Sequence, residues 1–86
     1  MSTAQIVAQL SAASQKLDEV EQKVRAAVEE TNAAQGLVSS ALEGGSGQLV
    51  AMFDRIREAL GQVSSVSGVT KEQVQATIAK AQALGN

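Results

Sequence analysis

Apolar and small residues recur at three- and four-residue steps through the first half of the chain: Ile6, Leu10, Ala13, Leu17, Val20, Val24, Ala27, Thr31, Ala34, Val38 and Ala41. After a short interruption, Leu49, Phe53, Ile56, Leu60 and Val63 repeat the step. Residues at that spacing share one face of a helix, and an apolar face is stable only when something covers it. The interruption is Gly44-Gly45-Ser46-Gly47, a run that breaks helices and admits a reversal of direction. The pattern predicts an all-α chain, an antiparallel helical hairpin forming one domain over residues 1–86. Its expected parts are a helix over 3–42, a turn over 43–47, a helix over 47–64, a break over 65–70 and a third helix over 71–84. One long helix and a broken second arm then make three helices, expected to pair into a four-helix-type bundle.

Local signals support these boundaries. Ser2 and Gln5 fit a capping box, with Met1 and Ile6 placed for the accompanying hydrophobic staple. Glu19 with Lys23 and Glu21 with Arg25 are acid-before-base pairs at the four-residue spacing that supports a helix surface. Residues 31–42 carry no charge and contain Gly36, which marks this stretch as less rigid or covered by a partner. Ser46 is placed to cap the second arm. Ser64-Ser65-Val66-Ser67-Gly68 interrupts the apolar pattern, and Thr70 with Gln73 reads as a fresh capping box, with Val69 and Val74 as its staple. Gly85 ends the third helix, whose apolar side is Val74, Ile78, Ala81 and Leu84. A single second arm kinked at Gly68 is the alternative.

The expected seam between the arms consists of Ile6, Leu10, Leu17, Val20, Val24, Val38, Leu49, Phe53, Ile56, Leu60, Val63, Val74 and Ile78. Val7, Val28, Leu37, Leu42, Val50 and Met52 lie off that seam and widen the stripe into a second contact face. Either the third helix covers this face within the monomer, or another hairpin does. A wide apolar face marks an interaction site, so the expected partner is a protein: a second copy or a helical partner.

Composition removes most other functions. The 86 residues include no His, Cys or Pro, no Trp or Tyr, and one Phe. Absence of His leaves Ser without the usual activating base, and absence of Cys removes thiolate metal sites and disulfides. Asp54 and Glu58 share a helix face, but with Arg55 and Arg57 beside them they read as a solvated surface. The glycine run has neither the preceding strand nor the following Lys-Ser/Thr of a phosphate loop. Net charge is −2, from seven basic and nine acidic residues, without the basic footprint or stacking aromatics of a nucleic-acid surface. No apolar run approaches the ~20 residues of a membrane span, and no basic-then-apolar leader opens the sequence. The chain is therefore expected to be no enzyme, to take no cofactor, metal or small-molecule substrate, and to be cytoplasmic or secreted without a cleaved signal peptide.

The layout, with a glycine turn near the midpoint reading Leu42-Glu43-Gly44 where the family carries Trp-x-Gly, resembles the small WXG-type hairpins of type VII secretion. The opening Met1-Ser2-Thr3-Ala4-Gln5-Ile6 is similar to that of short Ala-, Gln- and Val-rich helical proteins of actinobacteria. The resemblance implies a paired helical adaptor or cargo partner, linked to a secretion or toxin system. A needle-like filament subunit, also a hairpin of about this size, is the alternative.

Overall fold

In a computed structural model, which describes residues 2–42 and 46–85, the chain forms two long helices, α1 (Thr3–Ala41) and α2 (Gly47–Leu84). They lie against each other over their length as a rod with extents of 65 × 14 × 14 Å. Of the turn expected at 43–47, residues 43–45 fall outside the described residues, as does Met1 of the expected staple.

The start of α1 follows the sequence signal. Ser2 Oγ accepts from the Gln5 backbone N–H at 3.2 Å, and Gln5 Oε1 accepts from the Ser2 N–H at 3.1 Å, which satisfies two of the donors a helix start leaves open. At α2, Ser46 occupies the N-cap in an extended conformation, but its side chain makes no capping bond. Its carbonyl alone engages the helix, accepting from the Val50 N–H at 3.0 Å. The two surface pairs expected on α1 do not form. Glu19 meets Lys16 at 3.4 Å instead, and Glu21 turns toward Gly68 of α2.

The expectation of three helices is overturned, and with it the bundle drawn from them: α2 runs unbroken through residues 65–70. The reason is tertiary. Ser67 is the most buried residue described, 5% exposed, and its hydroxyl donates to the Leu17 carbonyl of α1 at 3.5 Å. At Gly68 an added Cβ would already sit 3.9 Å from Glu21 Oε1. Small side chains here let the helices approach, and that contact outweighs the local preference for a break. Thr70 does not cap a new helix. Its hydroxyl donates back to the Val66 carbonyl at 2.8 Å, a bond made from inside a helix. Gly85 ends α2 in right-handed geometry, with its N–H donated to the Ala81 carbonyl at 3.0 Å.

The rod encloses nothing. Among the described residues no hydrophobic side chain is fully buried. A compact monomer of 8.8 kDa exposes ~4,800 Å²; this chain exposes 6135 Å². Phe53 is half-buried, so Phe53→Ala is expected to cost about 1–2 kcal/mol, below the ~3–5 kcal/mol of an enclosed phenylalanine. Denaturant melts decide it, and a loss above 3 kcal/mol would mean the ring is covered by something outside the monomer. A Cβ at Gly36 or Gly61 meets nothing within 4 Å. Gly36→Ala and Gly61→Ala are each expected to stabilise by about 0.5–1 kcal/mol through the lower entropy of alanine in the unfolded chain, read as a raised thermal midpoint.

Candidate interaction face

The half-buried positions define the true seam. On α1 they include Val7, Leu10, Ser14, Leu17, Glu21, Val24, Val28, Thr31, Gln35 and Val38. On α2 they include Val50, Phe53, Arg57, Leu60, Ser64, Lys71, Val74 and Ile78, with Ser67 buried among them. The steps alternate three and four residues, the seven-residue repeat of a two-helix seam. Leu10, Leu17, Val24, Val38, Leu49, Phe53, Leu60, Val74 and Ile78, assigned to the seam from the sequence, lie along it. Ile6, Val20, Ile56 and Val63, assigned there too, are exposed. Of the six residues expected on a separate contact face, Val7, Val28 and Val50 lie half-buried at the seam, while Leu37, Leu42 and Met52 are exposed.

This is a rotation of each helix by one column. The inward column beside the leucines is polar in mid-chain: Ser14, Glu21 and Gln35 on α1, Arg57, Ser64 and Lys71 on α2. Two of these residues, Lys71 and Arg57, find partners across the seam. Lys71 Nζ donates to Asp18 Oδ1 in an ion pair joining the two helices. Arg57 Nε donates to Asn32 Oδ1 at 2.8 Å, and Arg57 Nη1 donates to Asp54 Oδ1 at 2.8 Å. Both bridges lie on one flank of the rod, beside a shallow groove where Val24, Val28 and Leu60 stand among Arg25, Glu29 and Arg57.

The other flank carries no such side-chain bridge among the described residues. A groove there is lined by Leu17, Val20, Ala59, Gln62, Val63, Val66, Ser67 and Thr70. Extending its columns by sevens gives Ile6, Ala13, Val20, Ala27, Ala34 and Ala41 on α1, and Leu49, Ile56, Val63, Thr70, Thr77 and Leu84 on α2. No member of either column is charged. Met52, Ala59, Val66, Gln73 and Lys80 form a further column on the α2 side, and Gln9, Lys16, Lys23, Glu30 and Leu37 its counterpart on α1. Met52 is 51% exposed, Ile56 45%, Val63 47% and Val66 65%. The flank whose central columns are uncharged is thus left in water, while the other is bridged.

Chemistry elsewhere is sparse. The depression at the open end of the rod, lined by Thr3, Ala4, Val7, Ala8, Gln82 and Gly85, holds no titratable side chain. No group of three or more metal-ligating side chains occurs among the described residues. No helix described is long and apolar enough to cross a membrane.

A family model described as a family of unknown function (DUF6244) matches residues 1–86. The chain belongs to this family. No curated protein and no solved structure matches the chain. Membership in DUF6244 brings no link to the WXG-type hairpins, and it assigns no activity.

The cross-helix ion pair gives this face a pH signature. The hydrogen bond to Asp18 holds the Lys71 ammonium above its ordinary 10.5, the nearby charges of Asp18 and Glu21 add to this, and desolvation opposes it. A raised folded-state value means the stabilisation is fully present below 10.5 and is lost as pH climbs through the raised value. The gap in thermal midpoint between the native chain and Lys71→Met is therefore expected to be constant from neutral pH to 10.5 and to shrink above it. A gap that stays constant well into the alkaline range would mean that the ammonium gains nothing from Asp18.

Proposed function

We propose that this chain is a non-enzymatic helical interaction protein, a self-associating or partner-binding adaptor that works by having its uncharged flank covered. The observation that carries the reading is the choice the hairpin makes. It turns polar residues inward at Arg57 and Lys71 and leaves Ile56, Val63 and Val66 outside. A contiguous apolar strip of this length is a liability in an isolated monomer and an asset in a complex. The non-enzymatic part is supported by the residue types: no His or Cys exists in the sequence, and Asp18 and Asp54 are held by Lys71 and Arg57. For a link to secretion, the two-arm layout is the sole support.

The test is site-specific photo-crosslinking in the native cell. A photoreactive residue at Val63 should give covalent protein adducts, and one at Gln75, exposed on the bridged flank, should give few or none. Equal yields at the two sites, or no adduct at Val63, would remove the interaction reading.

A further inference from the structure

We propose that the occupant of the unbridged flank is an acidic amphipathic helix of another protein, seated as a third helix along the half of the rod nearer its open end. This rests on the interaction reading and names the chemistry of the partner.

The first argument is where the charges fall. Beside the two uncharged columns, the outer columns of this flank hold Lys16, Lys23 and Lys80 against one acid, Glu30. The bridged flank is the reverse, with Arg25 against Asp18, Glu29, Asp54, Glu58 and Glu72. A chain of net charge −2 thus gathers positive charge on the side it leaves unbridged. From Lys23 to the open end, no acid stands in the four columns of this flank. Lys16 meets Glu19 at 3.4 Å with both side chains more than half exposed, a surface pair that holds the ammonium weakly. Among the described residues no ion pair engages Lys23 or Lys80.

The second argument is spacing. The Asp18–Lys71 and Asn32–Arg57 contacts fix which residues of the two helices stand level. Counting out from them, Lys80 is level with Gln9, within one residue. Lys80, Lys16 and Lys23 then follow one another along the rod at seven-residue intervals, ~10.5 Å each at the rise of a helix. Between the two lysine rims runs the trough lined by Leu17, Val20, Val63, Val66 and Ser67. A helix laid in that trough presents its apolar stripe at three- and four-residue steps, and the positions beside the stripe recur every seven residues. Carboxylates at those positions meet Lys16 and Lys23 on one side and Lys80 on the other. An anionic membrane surface is the poorer match. Helices that lie in a membrane surface sink bulky side chains beneath a strongly basic face. Here the one aromatic, Phe53, is in the seam, and the trough offers mainly valine.

Fluorescence anisotropy with the full chain tests this, using two labelled helical peptides three heptads long. One carries leucine along its apolar stripe and glutamate at the positions beside it. Its counterpart carries lysine at those positions. The glutamate peptide should bind at least tenfold more tightly than the lysine peptide, and less tightly as salt is raised. Lys16→Glu and Lys23→Glu together should weaken it at least tenfold and turn the preference toward the lysine peptide. Glu29→Gln on the bridged flank should leave it within about twofold. Both lysines are exposed and off the seam, and circular dichroism follows folding. Should the paired substitutions lose helix content, Lys80→Glu alone, expected to weaken binding about threefold, decides the matter. Equal binding of the two peptides, binding of neither, or indifference to the lysine substitutions would each overturn the inference. So would tighter binding to phosphatidylglycerol vesicles than to the glutamate peptide. In the cell, Val63 adducts whose yield is unchanged by Lys16→Glu and Lys23→Glu would defeat the acidic helix alone and keep the interaction reading. No adduct at Val63 would defeat both.

Discussion

Two helices make one seam, and one seam has no inside. Every side chain in it touches the opposite helix on one side and approaches solvent on the other, which is why Ser67 alone among the described residues falls to 5% exposure. The rest of the structure follows from this constraint. A polar residue at such a position does not incur the full desolvation of a core site, because its head can reach the edge of the seam. Lys71 and Arg57 do so, each with its stem between the helices and its charge on an acceptor at the flank. The apolar residues gain correspondingly little, since half-burial returns about half of their transfer free energy. With modest gain for greasy side chains and modest loss for polar ones, bridging pairs decide which column turns inward.

That decision explains the asymmetry of the rod. In an antiparallel pair the two residues flanking the seam on one side come from equivalent columns of the two helices. One flank therefore collects Asp18, Arg25, Asn32 and Asp54, and the other collects Val20, Ile56 and Val63. Charges bridged across the first flank fix register, as a polar contact in a helical seam does. A slip by one turn would separate Lys71 from Asp18 and Arg57 from Asn32 together. Among the described residues no such bridge ties the second flank, where Thr70 and Thr77 bond within α2 and the rest of the two columns is apolar.

The same asymmetry marks the limit of what the residues alone could disclose. Two antiparallel arms, the capping box at Ser2 and the columns through Leu10, Leu17, Val24, Phe53 and Leu60 are legible, because each depends on spacing or on a local bond. Rotation of the helices was not. By apolarity, Ile6, Val20, Ile56 and Val63 outrank Arg57 and Lys71 for an inward position, and the cross-helix partners of those two, Asn32 and Asp18, favour the reverse. Those partners are 25 and 53 residues away in the sequence and meet only after the chain has doubled back. The unbroken α2 was hidden for a related reason. Ser64 to Gly68 reads as a break in isolation, whereas in contact with α1 its small side chains are what permit the approach at Leu17 and Glu21.

A sequence optimised for the isolated hairpin would put Val63 and Ile56 inward and keep Lys71 and Arg57 outside. This sequence does the reverse. The arrangement is not a failure of patterning, since the uncharged columns keep their seven-residue period from Ile6 to Ala41 and from Leu49 to Leu84. The chain therefore has two flanks of equal length and different chemistry: one whose cross-helix bonds fix the register of the hairpin, and one whose central columns carry no charge and stay exposed in the monomer.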